Sequence, residues 1–523
     1  MRCSLVNTDY DVIVIGSGIG GLSSASAMAN KGYKVLVCEA GGRIGGYCQS
    51  FERKGFRFNS SIHKIGGPFP RYLTEQFLSL MGESNQLEWT EFEEYVQVGN
   101  IKINAGSKAM KEDLKKHFPH ESTQLDTFFF DIQLAFKELI YLEKNRNNIT
   151  AFNSAAMKLL MQYQVITIEQ LLHKYFQDEH LRGILYALCD GTPGQSAIVL
   201  VVFLNLLIGN SVLPVGGAES ILNIMLKVVE RAGGNLLLNS RVNRILVEEG
   251  RVVGVEVDGK QIFSRFVVSN ADIYTTYEKL IGQEHISPRF LHKLQKVWQS
   301  SSSCFSVWLG LDCPIQDLGW NGQNMSYYQK YDRLFEMKKD LLTPGGKLPS
   351  DTYCWIGTSA NLDPTSSPNG YSQVSLGIPI SYQFENNWGI ENGRRGTEYR
   401  KTKKRLAEQL IDSVEHILPG LKDHIIVTTI ASPHTFERYS LNTGGAYLGF
   451  AFNPSYLQDR MRPESKGLLQ GLYLSSNWSS MGGGFIKVMM EALRGADLML
   501  MEDKRTDFYD FQNQYFFEQM SKV

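Results

Sequence analysis

Gly16-Ser17-Gly18-Ile19-Gly20-Gly21 sets three glycines at GxGxxG spacing, and Glu39 follows 23 residues after the first of them. These residue types at this spacing suit phosphate and ribose binding. Gly16 permits a tight turn, Gly18 lets backbone approach a pyrophosphate with no Cβ in the way, and Gly21 lets helix and strand pack closely. The helix that follows would offer free N–H groups and its positive dipole end to the phosphates, and Ile19 and Gly20, between the motif glycines, join the cofactor-binding set. Glu39 can accept hydrogen bonds from ribose hydroxyls, and its charge disfavours a 2′-phosphate. A glycine-rich turn with no nucleotide would leave the acid and the flanking pattern unexplained. For proton transfer the sequence nominates His63, whose imidazole class titrates near neutral pH; a structural or surface histidine is the plain alternative. His434 and Lys487 are weaker candidates, with a solvent-facing lysine the plain reading of the latter. No Ser-His-Asp order, HExxH or zinc spacing is present, so neither a metal nor a covalent nucleophile is supported.

The elements that must position these residues are legible around them. Tyr10 to Ile15 is an apolar, β-branched run that reads as a buried parallel strand. Leu22 to Asn30, rich in Ala and Ser, reads as a helix closed by Gly32, and Lys34 to Cys38 as the next strand. Beyond Glu39 comes Ala40-Gly41-Gly42-Arg43-Ile44-Gly45-Gly46. A second glycine pair here allows another close approach of backbone to a cofactor, past the ribose; a surface turn is the alternative. The arrangement resembles the two-glycine-pair signature of FAD enzymes of the amine oxidase and phytoene desaturase type. That resemblance implies FAD, with Ala40, Arg43, Gly45 and Gly46 beside it.

The far end repeats the pattern. Gly471 to Leu474 is a short apolar strand, Met481 to Phe485 a glycine loop, and Ile486 to Met501 helix-like. In flavoproteins of this type such a unit returns to the first domain and caps the flavin's pyrimidine edge. This implies contacts from Asn477, Gly484, Phe485 and Ile486. The family pattern carries an Asp where this chain has Ser476-Asn477, so the charge is lost while hydrogen bonding survives. In the middle, Ile221 to Ala232 reads as a helix, Gly250 to Val257 as a hairpin arm and Arg265 to Asn270 as a strand. Val242 is placed on the adenine side by the same resemblance, with a plain core valine as the alternative.

Further blocks narrow the resemblance. Leu213-Pro214-Val215-Gly216-Gly217, Val268-Ser269-Asn270-Ala271-Asp272 and Ser432-Pro433-His434-Thr435 resemble the family of phytoene desaturases, carotenoid cis–trans isomerases and retinol saturases. Asn270 joins the cofactor set on that basis. The likeness covers nearly the whole chain. It implies a GR2, amine-oxidase-like fold: an α/β Rossmann-type FAD-binding domain with an inserted α+β substrate domain. The expected division is 9–75, 214–299 and 431–505 for the FAD domain, 76–213 and 300–430 for the substrate domain, and 506–523 as a C-terminal tail. Residues 76 to 212 look mainly helical, and 300 to 430 alternate like strands.

Bulk properties bound the function. The chain has 523 residues, 53 Lys plus Arg against 54 Asp plus Glu, and a net charge of −1. No basic excess could neutralise phosphates, so nucleic acid is not an expected partner. Seven scattered cysteines without a CxxC pair read as reduced thiols in a cytosol-facing protein. Ala197 to Leu213 is apolar but interrupted by Asn205, Gly209 and Asn210; it reads as a buried or tunnel-lining helix, with a membrane-dipping segment as the alternative. The expected activity is FAD-dependent oxidoreduction at C–C or C=C bonds of a long apolar polyene: desaturation, saturation or isomerisation. Peripheral membrane contact follows from that substrate class. The residues name no electron donor or acceptor. A flavin amine oxidase of a smaller substrate and a prenyl-binding escort protein without activity are the competing readings. Intact glycine motifs and Glu39 argue against the second of these.

Overall fold

The computed structural model describes residues 8–145, 157–206, 209–331, 334–349 and 353–520. The first strand, Tyr10–Ile15, lies between Val35–Cys38 and Lys260–Ser269 and runs parallel to both. Val12, Ile13 and Val14 are fully buried, as a parallel strand covered on both faces requires. Asn235–Leu237 extends the sheet beyond Val35–Cys38, and Leu472–Leu474 pairs in parallel with the end of Lys260–Ser269. Lys260–Ser269 is long enough for two roles. Its first residues pair antiparallel with Arg251–Val257, which in turn pairs with Val242–Glu248. The first helix, Ile19–Asn30, packs against helices Glu219–Arg231 and Phe485–Glu502 on one face of this sheet. Its buried Gly20, Gly21, Ser23, Ser24, Ala25 and Ala27 are small, so three helices can crowd together there.

The second sheet also has seven strands, in the order Ile425–Ala431, Ser303–Leu311, Ser372–Ile380, Tyr353–Gly357, Asn324–Tyr328, Glu94–Val98 and Ile101–Asn104. All neighbours are antiparallel except Glu94–Val98 beside Asn324–Tyr328. Helices Ser122–Lys144, Ile168–Tyr175, Glu179–Leu188 and Ala197–Leu206 share its apolar core. The region 76–212 is therefore not purely helical. Val96 and Val98 are buried while Tyr95 and Gln97 are half-buried, a period-two pattern closed by the Gly99-Asn100 turn.

Two further expectations are refined. The described part of the C-terminal tail is integral: Tyr509 and Phe511 are buried, and the Tyr509 hydroxyl donates to the Ala27 carbonyl at 2.7 Å. The apolar stretch 197–213 divides into helix Ala197–Leu206 and strand Ser211–Pro214, with 207–208 outside the described residues. Among the described residues no helix is long and apolar enough to cross a membrane. Asp363, in the loop before Ser372–Ile380, ties the second sheet to the hairpin Ser50–Asn59 and to the loop before helix Glu219–Arg231. It is buried, pairs with Arg57 at 2.5 Å in the hairpin Ser50–Asn59, and accepts from the Gly216 N–H at 2.8 Å.

Candidate functional site

The glycine motif sits where the first strand turns into the first helix, with Gly16 at φ +92°. No side chain caps that helix, and its first turn carries no acid, so its N-terminal N–H groups are free to meet an anion. Glu39, at the end of the second strand, folds back over the turn. Its carboxylate accepts from the Ser17 N–H at 2.9 Å, the Ser17 hydroxyl at 2.6 Å and the Gly41 N–H at 2.7 Å. Ser17 is the partner that the motif alone did not identify.

The second glycine pair meets the first. The Gly45 N–H donates to the Ser17 carbonyl at 3.1 Å, and Gly18 and Gly45 form a parallel bridge. Ala40 and Arg43 lie on this connection, Arg43 being exposed. On the opposite side, Asn270 ends the strand Lys260–Ser269 and spans two segments. Its amide accepts from the Gly18 N–H at 3.1 Å and donates to the Ser475 carbonyl at 3.0 Å. Ser475 belongs to the C-terminal unit, so Asn270 ties both glycine-bearing regions together. Val242 is buried beside Ile15 and Cys38 in the core under this turn.

The C-terminal unit supplies the other wall. Gly484, at φ +120°, precedes helix Phe485–Glu502, which likewise has neither a side-chain cap nor an acid in its first turn. Phe485 is buried and Ile486 half-buried. Asn477 reaches the Tyr447 carbonyl at 3.5 Å, and the Tyr47 hydroxyl donates to the Ala446 carbonyl at 3.0 Å. Tyr47, directly after the second glycine pair, was a missed neighbour of this site. Lys487 is not solvent-facing. It is half-buried, its ammonium lies 5.1 Å from the centre of the Phe452 ring, and desolvation lowers its pKa to about 8.

His63 follows the hairpin Ser50–Asn59, and its ring lies 4.5 Å from that of Trp355 on the second sheet. Burial, then the charge of Lys64, lowers its pKa to about 4, so it is neutral at pH 7. A neutral imidazole can donate or accept one hydrogen bond, but it is a poor proton reservoir at that pH. His434 is elsewhere, packed at 4.1 Å on the Tyr382 ring, with its pKa lowered by burial.

The residues fit a dinucleotide. Two uncapped helix starts face the glycine loops, and the buried hydroxyl of Ser475 lacks a hydrogen-bond partner among the described residues. The Ser61 hydroxyl, two positions before His63, is buried and unpartnered in the same way. Such groups are costly unless a ligand satisfies them.

Comparison with known proteins agrees. The family described as flavin containing amine oxidoreductase matches residues 19–500. An all-trans-retinol 13,14-reductase of Danio rerio is 27% identical over 85% of this chain and 78% of its own length. Prolycopene isomerase 1 of an Oncidium hybrid cultivar is 25% identical over 84% of this chain and 75% of its own. Cyclohexylamine oxidase from Brevibacterium oxydans superposes with a TM-score of 0.62 at 16% identity, covering 95% of this chain and all of the enzyme, which shows the shared fold. The chain belongs to the flavin containing amine oxidoreductase family, and it is an FAD-dependent oxidoreductase.

Proposed function

We propose that this oxidoreductase acts on C–C or C=C bonds of a long apolar polyene of the retinoid or carotenoid type. The observation that carries this reading is the similarity to a retinol reductase and a prolycopene isomerase across more than four-fifths of the chain. Bound FAD supplies hydride acceptance or donation at its N5. The protein's own part is to exclude water and to hold the substrate. Helix Ala197–Leu206 suits both roles. Leu200, Val201 and Leu204 are buried, while Ile198, Val199 and Phe203 stay half-exposed as an apolar wall. Phe203 and Leu204 line a cavity with Val96, Met110, Ala187 and Leu188. The amine oxidase reading would place aromatic rings over the flavin. Trp478 is instead fully buried and donates to Asn442 at 2.8 Å, and Phe485 is buried in the helix core.

Peripheral membrane contact belongs to the same proposal. Phe130 and Leu134 project from one face of helix Ser122–Lys144 at 65% and 40% exposure. Co-sedimentation with liposomes at low and high salt tests this. Pelleting with the vesicles at both salts is expected, and a protein that stays in the supernatant at both would end the idea.

The test of the activity is anaerobic mixing of the flavin-loaded protein with all-trans-retinol or a cis-carotenoid. Flavin bleaching on mixing would identify a desaturase, in which the substrate loses two hydrogens. Conversion only after dithionite reduction would identify a saturase if the product gains two hydrogens, or an isomerase if its mass is unchanged. Turnover of a simple amine with no reaction of either polyene, oxidised or reduced, would overturn the proposal.

A further inference from the structure

The cavity lined by Phe203 and Leu204 is mixed in character, with apolar side chains beside the Lys64–Glu94 pair. A second carboxylate, Asp190, lines it next to Ala187 and Leu188. It follows helix Glu179–Leu188, with φ +48°. The residue behind it is Lys338, which is completely buried. The Lys338 ammonium donates to Asp190 Oδ1 at 3.1 Å and to the Gly191 carbonyl at 2.7 Å. It also lies 4.9 Å from the centre of the Tyr353 ring and 5.5 Å from that of Tyr328. The Tyr353 hydroxyl donates to the same Oδ1 at 3.1 Å. A buried lysine and a tyrosine thus fix one carboxylate oxygen, while the Asp190 side chain keeps 47% of its surface open.

Oδ2 of Asp190 receives no hydrogen bond among the described residues. The other charged groups of this cavity are satisfied: Glu94 pairs with Lys64 through one oxygen and accepts from Asn324 through the other, at 3.2 Å. Lys64 lines the same cavity and directly follows His63, so the cavity reaches from the segment that carries this histidine to Asp190.

We propose that Asp190, held by Lys338 and Tyr353, accepts a hydrogen bond from a hydroxyl at the end of the substrate, so that the enzyme takes an alcohol-ended polyene in preference to one without a donor. This rests on the polyene reading above. The exposed member of the ion pair is the carboxylate, so the partner it selects is a donor. A hydrogen bond to a charged acceptor is worth enough to give about a tenfold preference.

The experiment compares all-trans-retinol with its methyl ether, which keeps the polyene and loses the donor. Binding to the flavin-loaded protein is followed by quenching of tryptophan fluorescence. The native protein is expected to bind the alcohol about tenfold more tightly than the ether. Asp190→Leu combined with Lys338→Met removes both charges together, so no buried charge is stranded, and should abolish the preference. Equal affinities in the native protein overturn the assignment, whether or not the double variant folds. So does a preference that survives in a double variant with an intact flavin spectrum. Binding of neither retinoid by the native protein also overturns the assignment, while the parent reading is judged separately by reaction with a cis-carotenoid.

Discussion

Gly20→Ala is expected to yield protein with little or no bound flavin and a fold weakened by about 3 kcal/mol, at the upper end of overpacking costs. A Cβ at Gly20 would lie 1.5 Å from the Ser475 carbonyl oxygen and 2.7 Å from its carbon. Neither side can yield cheaply. The Ser475 N–H is held by Ser269 at 3.0 Å, and its carbonyl is the acceptor for Asn270. Gly20 lies in the first turn of a helix packed between two others. Moving the helix away from Ser475 would pull Gly18 off Asn270 and open the clamp between the two glycine-bearing regions. The ratio of flavin to protein absorbance and the melting temperature report the outcome. Gly396→Ala is the control, because nothing lies within 4 Å of a Cβ there. Stoichiometric flavin in Gly20→Ala would show that the clamp is not needed.

How much of this was legible in the sequence depends on the range of each interaction. The first strand, the first helix and Glu39 were read from a contiguous segment whose periodicity and glycine spacing are local. The helix begins at Ile19 rather than Leu22 because Gly18 itself serves as its N-cap. The end of the chain was legible for the same reason: strand, glycine loop and helix follow one another. Asn270 was named from a family block, but its role as a tie between Gly18 and Ser475 joins residues more than 200 apart in sequence, and no local pattern announces that. The hairpin Glu94–Asn104 did carry a signal, the alternation of Val96 and Val98, yet it lay between helical stretches and paired in parallel with the distant strand Asn324–Tyr328. The Asp190–Lys338–Tyr353 cluster had none, since each residue alone reads as ordinary.

His63 shows a different limit. Residue type supplied its ordinary titration range, but the burial that, with the charge of Lys64, moves it to about 4 is made in part by a distant partner, Trp355. A pH profile set by this histidine would break near 4 rather than near neutrality, so a group titrating near 7 must be sought elsewhere.

Lys487→Met is expected to stabilise the flavin-free protein at pH 7. Lys487 stands in the first turn of helix Phe485–Glu502, where the dipole disfavours a cation, and no carboxylate pairs with it among the described residues. Its folded pKa of about 8 lies below the ordinary 10.5 because burial penalises the charge. The sign follows from linkage. Below pH 8 both folded and unfolded chains hold the proton, and the folded state bears the full penalty. Between pH 8 and 10.5 the folded chain releases it first, so stability contributed by this group rises with pH. The displacement corresponds to about 3 kcal/mol at most, and solvent reaching the half-buried side chain reduces that to roughly 1–3 kcal/mol. Melting of the flavin-free protein at pH 7 and pH 10 measures it: Lys487→Met should melt higher at pH 7 and converge with the native protein at pH 10. Equal melting at both pH values would mean that Lys487 meets enough water to stay unstrained. Retaining such a cation costs stability in the empty protein, and the compensation we expect is electrostatic. The loop Gly482–Gly484, on which the lysine folds back, is where the resemblance places the flavin's pyrimidine edge. A cation there favours the negative charge of the reduced flavin, so the same substitution should also lower the midpoint potential of bound FAD. A variant that stabilises the empty protein yet leaves the potential unchanged would separate the two roles, and would place the ammonium too far from the flavin to act on it.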